Sequence, residues 1–319
     1  MPQADASLMP QADPKLMPNV NAVPLSAGPV LTVGVVGIGL MGLALAQRLH
    51  DCGHRVRVFD IDPARMTLAL DSGLTLCDSA SEVAAQCEAL IVAVVDAAQA
   101  DAVLFGPGQA AASLPAGAAV FLCPTIAPGS VQALAARLGA QGLDAIDAPM
   151  SGGPARARAG SMSLMVACAD AAFSRWQGLL NDLSSQVFRI GTQPGDGAKT
   201  KLVNNLLAAI NLAGAAQALA LAEHLGLDAA TTLGVMEQSS AQSWIASDRM
   251  RRALAGDREP RAYMSLLAKD STLAMQAAAA SGYSPTLGSL AQQVFAQACA
   301  AGLANADDSA LWRWVHPRR

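Results

Sequence analysis

Lys201 and Asn205 are the two residues of this sequence best placed to move a proton. They lie four positions apart in a stretch with helical spacing, so their side chains share one face and can meet at one ligand atom. A lysine in a half-buried cleft loses hydration of its charged form, which lowers the pKa of its ammonium group. Such a lysine can take a proton from a hydroxyl and return it to a carbonyl. Position alone leaves open the alternative of a solvated lysine and a core asparagine.

Two further stretches carry polar groups that could contact a ligand. Residues 147–153 follow a predicted strand and end in Ser151, Gly152 and Gly153. Consecutive backbone N–H groups beside a hydroxyl form a nest suited to a carboxylate, although an ordinary strand-to-loop turn is an equal alternative. Residues 269–270 are a Lys-Asp pair inside an otherwise apolar helical stretch, which by itself indicates an ion pair on a helix surface.

The elements that must position these groups begin with a glycine-rich turn. An unbroken apolar run from Thr32 predicts a strand buried on both faces of a parallel sheet, and Gly37-x-Gly39-x-x-Gly42 follows it. Gly37 allows the tight turn, Gly39 lets the backbone approach a pyrophosphate, and Gly42 lets the next helix pack closely on its strand. The order of strand, turn and helix therefore predicts a dinucleotide site.

The residues after the turn complete this site. The helix begins with Leu40 and Met41, where free N–H groups would face a phosphate. A second strand ends in Asp60, at the spacing from which a carboxylate reaches a ribose 2′-hydroxyl. Because an acid there repels a 2′-phosphate, we expect NAD rather than NADP as the cofactor, although Arg65 is close enough to leave that preference open.

After Asp60 the chain alternates between helices and strands, and after residue 190 we find no further strand. The alternation predicts a parallel sheet with helices on both faces, with ligands beyond the carboxyl ends of its strands, where Val95 and Thr125 lie. We therefore predict an α/β chain with a Rossmann-type dinucleotide-binding domain at residues 29–194 and an all-α domain at residues 195–319. The Pro-rich near-repeat at residues 1–28 indicates a disordered tail.

Composition excludes several functional classes. The 319 residues carry a net charge of −4 with no basic tract, which argues against nucleic acid. The six cysteines and four histidines show no metal-ligand spacing, so we expect no metal site and a reducing compartment. Polar residues interrupt the apolar stretch 202–222, which predicts a buried helix rather than a membrane span. We expect a cytoplasmic protein.

Taken together, the motifs resemble the β-hydroxyacid dehydrogenase family, which contains 3-hydroxyisobutyrate dehydrogenase and tartronate semialdehyde reductase. The resemblance spans roughly residues 32–315. It rests on four ordered motifs: GxGxMG at 37–42, DAPxSGG at 147–153, GxGxxxKxxNN at 195–205 and KD at 269–270. Asp96-Ala-Ala-Gln99, Ser243-Trp244 and Asp307-Asp-Ser-Ala310, among others, are similar to the L-threonate dehydrogenase subfamily.

The resemblance implies a role for each matching residue. Lys201 would be the catalytic acid/base and Asn205 its orienting partner, and the turn at residues 151–153 would hold the substrate carboxylate. Thr125 would lie near the nicotinamide ribose, and Lys269 would reach the cofactor from the helical domain. The implied reaction is reversible NAD-dependent oxidation of a small hydroxy acid without a metal.

Several alternatives stay open at this point. Within the family, the substrate could be 3-hydroxyisobutyrate or tartronate semialdehyde. A non-catalytic NAD-binding interaction protein and an imine reductase both predict another residue in place of Lys201. Small residues Gly214, Ala218 and Ala222 on one face of the long helix would allow another helix to approach closely, and we expect a homodimer or homotetramer.

Overall fold

The computed structural model describes residues 29–316, and the predicted disordered tail lies outside these residues. Within them, the apolar runs of the sequence form the centre of a nine-stranded sheet. The strands are β1 (Thr32–Val36), β2 (Arg55–Phe59), β3 (Thr75–Leu76), β4 (Ala89–Val92), β5 (Ala119–Leu122), β6 (Asp144–Asp147), β7 (Met150–Ser151), β8 (Ser163–Ala167) and β9 (Gln186–Gly191). Their order is β3-β2-β1-β4-β5-β6-β8-β7, and β9 pairs with β8.

Helices cover the sheet and then make up the rest of the described chain. Those of the first part are α1 (Leu40–Asp51), α2 (Pro63–Asp71), α3 (Ala80–Ala84), α4 (Ala97–Leu104), α5 (Ala110–Ser113), α6 (Pro128–Gly139), α7 (Gly153–Arg158) and α8 (Asp170–Leu183). Those of the second part are α9 (Asp196–His224), α10 (Ala229–Glu237), α11 (Trp244–Leu254), α12 (Met264–Ala280), α13 (Thr286–Ala298) and α14 (Leu311–Val315). A π-helical turn, Cys299–Leu303, follows α13, and a 3-10 turn, Asp308–Ala310, precedes α14.

Alternate residues of the central strands pack into two separate cores, one on each face of the sheet. In β4, Ala89 and Ile91 join the core on one face, while Leu90 and Val92 join the core on the other. This is why the strand reads as an unbroken apolar run rather than as an alternating one. The predicted class, a Rossmann-type α/β domain followed by an all-α domain, is confirmed.

The sheet departs from the prediction at one edge. The six strands from β3 to β6 are parallel, as expected, but β8 runs antiparallel to β6 and β7. The two-residue strand β7 and the six-residue helix α7 were not predicted, because segments of this length show no periodic pattern. Together they carry the turn that follows residue 147.

Helix α9 connects the sheet to the helical domain. Its first turns contact β6, β8 and β9, and the rest of the helix contacts α10 to α14. It is the single described helix long and apolar enough to cross a membrane, and half of the residues in its most apolar window are buried in the protein. The core of the helical domain forms around it, with Leu212, Ala216 and Leu219 fully buried. This packing explains its apolar composition.

Candidate active site

A cleft of about 480 Å³ lies where the carboxyl edge of the sheet meets the helical domain. Eleven of the residues predicted from the sequence line it: Gly39, Leu40, Met41, Val95, Thr125, Ser151, Gly152, Gly153, Lys201, Asn205 and Lys269. Gly37, Gly42 and Asp60 do not line the cleft: the two glycines are part of the glycine-rich turn itself, and Asp60 accepts a hydrogen bond from the amide of Ile38 within it. Residues predicted from separate motifs therefore converge on a single cavity.

The three glycines of the turn meet three different steric demands. Gly37 has a φ of +89°, a conformation that side chains disfavour. A Cβ at Gly42 would lie 1.9 Å from the carbonyl oxygen of Gly37, so only glycine lets α1 start this close to β1. A Cβ at Gly39 would have no atom within 4 Å, and this residue faces the cleft. The missing side chain at Gly39 therefore leaves space in the cleft for a ligand and is not required by packing within the protein.

The start of α1 fits the pyrophosphate of a dinucleotide. The first N–H groups of a helix have no acceptor within it, and no side chain caps this one. Leu40 and Met41, the first two residues, line the cleft. Unpaired N–H donors and the positive end of the helix dipole together favour a bound phosphate.

Asp60 contacts the turn rather than the cleft. Its Oδ2 accepts a hydrogen bond from the amide of Ile38 at 2.7 Å, and its Oδ1 accepts one from the amide of Asp62 at 2.9 Å. Both carboxylate oxygens therefore accept hydrogen bonds from backbone amides, one in the glycine-rich turn and one just before α2. Arg65, near the start of α2, lines the cleft.

Lys201 is buried at the cleft wall in the second turn of α9, with 7% of its surface exposed. Burial lowers the pKa of Lys201 to about 8, since desolvation outweighs the opposing effect of the Asp270 charge. About a tenth of this amine is therefore neutral at pH 7 and about half of it at pH 8, far more than for a lysine with the ordinary pKa of 10.5. No hydrogen bond from a described residue contributes to this pKa, which leaves the amine available to a ligand.

Asp270 joins the other polar groups of the cleft. Its Oδ2 accepts a hydrogen bond from Nδ2 of Asn205 at 2.6 Å, and its Oδ1 lies 2.7 Å from Nζ of Lys269. Lys269 also donates to the carbonyl oxygen of Thr125 at 2.5 Å, which links the helical domain to the loop after β5. Asn205 thus contacts Asp270, and one N–H of its carboxamide remains for a ligand.

The turn at Ser151, Gly152 and Gly153 lies on the sheet side of the cleft. Gly152 and Gly153 have φ values of +132° and +76°, conformations that glycine adopts readily. Gly152 precedes α7, which no side chain caps, and Pro154 follows Gly153 without an N–H of its own. The hydroxyl of Ser151 and the two glycine amides are therefore the donors that this turn offers to an anion.

Asp147 holds the start of α9 in place. Its Oδ2 accepts hydrogen bonds from the amides of Gly195 at 2.7 Å and Ala198 at 3.1 Å. A Cβ at Gly197 would lie 2.9 Å from this carboxylate, so glycine lets the helix approach. Burial raises the pKa of Asp147 to about 6, because desolvation outweighs these backbone hydrogen bonds. The helix that carries Lys201 is thereby anchored to the end of β6.

Cys123 also lines the cleft, but burial raises the pKa of its thiol to about 12. It stays protonated and is a poor nucleophile. Among residues 29–316, no group of three or more His, Cys, Asp or Glu side chains could hold a metal ion. Unlike Cys123, Lys201 has a pKa of about 8, so its amine can take up or release a proton near neutral pH.

Sequence reasoning did not assign functional roles to Asp270, Arg249 and Asp308, all of which line the cleft. For Asp270 the sequence did contain an indication of such a role, because a carboxylate inside an apolar helix needs a partner. Arg249 and Asp308 are 59 positions apart and come from α11 and the 3-10 turn. No local pattern connects residues so far apart.

Comparison with known proteins agrees with this geometry. The NAD-binding domain of 6-phosphogluconate dehydrogenase matches residues 32–191, and the NAD-binding domain of NADP-dependent 3-hydroxyisobutyrate dehydrogenase matches residues 195–315. An L-threonate dehydrogenase from Cupriavidus necator is 36% identical over 88% of this chain and 94% of its own length. An L-threonate dehydrogenase from Escherichia coli is 34% identical over 90% of this chain and 95% of its own.

A solved structure shows the same similarity. The crystal structure of a 3-hydroxyisobutyrate dehydrogenase from Salmonella typhimurium superposes with a TM-score of 0.83 at 34% identity. The superposition covers 89% of this chain and 99% of that protein.

Proposed function

The chain belongs to the β-hydroxyacid dehydrogenase family, and from this we propose that it oxidises a small sugar acid reversibly, with Lys201 as general acid/base. At the level of the family it is an oxidoreductase that acts on a CH–OH group with a nicotinamide dinucleotide. The observation that carries the finer proposal is the buried amine of Lys201 in one cleft with the Ser151–Gly153 turn and the start of α1.

Lys201 moves the proton. Because burial lowers its pKa to about 8, the neutral amine is available to take the proton from the substrate hydroxyl. In the reverse direction the ammonium form returns a proton to the carbonyl oxygen, and its charge stabilises the developing alkoxide. Asn205, held by Asp270, directs its remaining N–H toward the same oxygen.

The turn at residues 151–153 orients the substrate. Its hydroxyl and backbone amides bind the substrate carboxylate, which places the hydroxyl-bearing carbon at a fixed distance from the cofactor site. A nicotinamide dinucleotide supplies the hydride acceptor when it is bound. The glycine turn and the start of α1 hold its pyrophosphate, and Thr125 and Lys269 form the wall where the two domains meet.

We propose NAD as the preferred cofactor. Asp60 and Asp62 place two carboxylates at the end of β2, and Arg65 is the cation that lines the cleft near them. A 2′-phosphate would add two further negative charges to this corner, and the single guanidinium does not balance them. The ratio of kcat/KM for the two dinucleotides measures this preference.

We propose L-threonate or a close C4 sugar acid as the substrate. The two L-threonate dehydrogenases align with nearly the full chain, which supports this substrate class. The alternative substrate is 3-hydroxyisobutyrate, because the similar structure from Salmonella typhimurium is that of a 3-hydroxyisobutyrate dehydrogenase. The helical domain contributes the polar residues Asn211, Arg249 and Asp308 to the cleft lining. These side chains favour the sugar acid, because the methyl group of 3-hydroxyisobutyrate offers them no hydrogen bond.

The proposed assembly is a homodimer or homotetramer in the cytoplasm. An apolar stripe on α9, formed by Val203, Leu207, Gly214, Ala218 and Leu221, lies on the exposed side of the helix. Ala222, which was predicted to share this face, is buried instead. A second copy of the chain would cover the stripe and remove its apolar surface from water.

A substrate panel tests the proposed function. The purified protein is incubated with L-threonate, D-erythronate, 3-hydroxyisobutyrate and D-glycerate, each with NAD and with NADP, and reduced cofactor is measured by absorbance. We expect the highest kcat/KM with L-threonate and NAD. If none of the four acids is oxidised with either cofactor, the proposed function is wrong.

A further inference from the structure

Arg249 and Asp308 form a buried pair in the wall of the cleft that the proton-transfer step does not use. Nε of Arg249 donates to Oδ1 of Asp308 at 2.6 Å, and the two side chains are 10% and 1% exposed. Both residues line the same cavity as Lys201, but they come from α11 and from the 3-10 turn of the helical domain. The pair therefore belongs to the part of the cleft wall that the helical domain contributes.

The pair keeps unused hydrogen-bonding capacity. Nη1 of Arg249 donates to Oδ2 of Asp248 at 2.5 Å, which leaves Nη2 without an acceptor among residues 29–316. Within the same described range, Oδ2 of Asp308 accepts no hydrogen bond. One cationic donor and one carboxylate acceptor thus lie side by side at a cavity wall. A hydroxyl group can satisfy both, because it accepts one hydrogen bond and donates another.

The charge of the surroundings argues against a second anion at this place. Arg249 is flanked by the carboxylates of Asp248 and Asp308, and Arg252 also pairs with Asp248 at 3.9 Å, so these four side chains carry no net charge when all are ionised. Burial raises the pKa of Asp308 to about 6 despite the neighbouring guanidinium, and the group is ionised at pH 7 and above. A second carboxylate or a phosphate on the substrate would therefore find no excess of positive charge here, whereas a hydroxyl needs none.

An aromatic surface lies next to the pair. Trp244, the first residue of α11, lines the cleft, and the guanidinium carbon of Arg249 is 5.8 Å from the centre of its ring. Arg156 of α7 lies at the same distance from this ring. The indole thus forms an apolar wall beside the polar pair. Carbon-bound hydrogens of a polyol chain can pack on such a wall while its hydroxyls bind the pair.

We propose that Arg249 and Asp308 are a subsite that recognises the hydroxyl groups of the substrate other than the one that is oxidised. This inference rests on the proposed function. It attributes to this pair the selectivity of the cleft for polyhydroxy acids over acids with a single hydroxyl. Asp308 accepts from the distal hydroxyl and Nη2 of Arg249 donates to it. Hydrogen bonds to charged groups contribute enough to change kcat/KM by about tenfold to a hundredfold.

The variant Asp308→Asn tests the subsite, since it keeps the shape of the side chain but removes the carboxylate acceptor. We expect kcat/KM for L-threonate to fall by about tenfold to a hundredfold, with less than about a threefold change for 3-hydroxyisobutyrate, which has no second hydroxyl. Asp248→Asn is the matched control, because Asp248 also contacts Arg249 but does not line the cleft. This control leaves the ratio of the two kcat/KM values unchanged.

The outcomes separate the subsite from the reaction itself. Equal losses for both substrates in Asp308→Asn would overturn the subsite, while a wild-type protein that oxidises none of the four acids of the substrate panel would overturn the proposed function. Because a buried substitution can impair folding, melting curves accompany the assays. The wild-type protein also provides an independent test with 2,3-dihydroxybutyrate, the 4-deoxy analogue of threonate. A kcat/KM at least about tenfold below that for L-threonate supports the subsite, and equal values contradict it.

Discussion

Asp270 and Asn205 share a hydrogen bond of 2.6 Å between Oδ2 and Nδ2, within the cleft that contains Lys201. The other oxygen of Asp270 contacts Lys269, so a single carboxylate fixes a carboxamide and an ammonium group. The charge of Asp270 also raises the pKa of Lys201 and partly offsets the effect of burial. Asp270 therefore sets both the geometry and the proton affinity of the site.

Replacing Asp270 should move the pH profile of the reaction. In Asp270→Asn the pKa of Lys201 falls below its value of about 8, because the anion that raises it is gone. The pH at which kcat/KM for oxidation reaches half of its maximum should shift to lower values, and the maximum itself should decrease because Asn205 loses its acceptor. Asp170→Asn, which removes an exposed carboxylate paired with Arg189, is the control. An unshifted profile would show that Asp270 has a structural role alone.

Lys201 should be essential for turnover and dispensable for cofactor binding. In Lys201→Ala we expect kcat to fall by about 10²- to 10⁴-fold, the range for loss of a general acid/base, while the Kd for the dinucleotide, measured by calorimetry, stays nearly the same. In the wild type, kcat/KM for oxidation should rise with pH through about 8, because the neutral amine is the base. Lys199→Ala is the matched control, since Lys199 is exposed and paired with Asp196. Wild-type turnover in Lys201→Ala would falsify the assignment.

Gly39 and Gly42 should respond differently to the same substitution. Gly39→Ala places its methyl group in open cleft space, so the melting temperature should be unchanged and dinucleotide binding weakened. Gly42→Ala brings a Cβ to 1.9 Å from the Gly37 carbonyl oxygen, so it should lower the melting temperature as well. Thermal unfolding and binding calorimetry on both variants check this prediction. Equal melting temperatures for the two variants would contradict the steric argument.

Asp147 should make stability depend on pH. Burial raises its pKa to about 6 from an ordinary value of 3.8, so between these values the folded protein binds more protons than the unfolded chain. The free energy of unfolding contributed by this group therefore falls as pH rises through that window. Relative to Asp147→Asn, the free energy of unfolding of the wild type should fall by about 2 kcal/mol between pH 4 and pH 7.

Urea denaturation of both proteins at several pH values measures this difference. The pKa of Asp308 is also about 6, but its contribution is present in both proteins and cancels. A difference that stays constant with pH would mean that Asp147 is not protonated in this range when folded.

The exposed stripe on α9 should control self-association. Leu221 is 58% exposed, and Leu221→Glu places a charge where a second copy would pack. We expect the mass from light scattering to fall from that of an oligomer to that of one chain. Leu70→Glu is the control, since Leu70 has a similar exposure of 59% but lies on α2 of the first domain. An unchanged mass in Leu221→Glu would place the interface elsewhere.

The sequence by itself determined the fold class and the main residues of the cleft. Strand β4 is apolar throughout because its two faces enter two cores, and α9 shows its helical face through the spacing of Lys201 and Asn205. Such patterns are local consequences of backbone geometry, so they can be read without coordinates. The positions of Gly37, Gly39 and Gly42 follow for the same reason, since glycine is needed where a turn or a close approach leaves no room for a side chain.

The tertiary structure alone decided which polar groups meet. The carboxylate of Asp60 binds the amide of Ile38 rather than lining the cleft, Asp147 binds the start of α9, and Asp308 meets Arg249 across 59 positions of sequence. The reversed direction of β8 could not be predicted from the pattern either, because the chain turns back after the two-residue strand β7 through the six-residue helix α7, and segments of this length show no periodicity. Partners of buried charges are chosen by how distant elements pack, and that packing leaves no periodic signal along the chain.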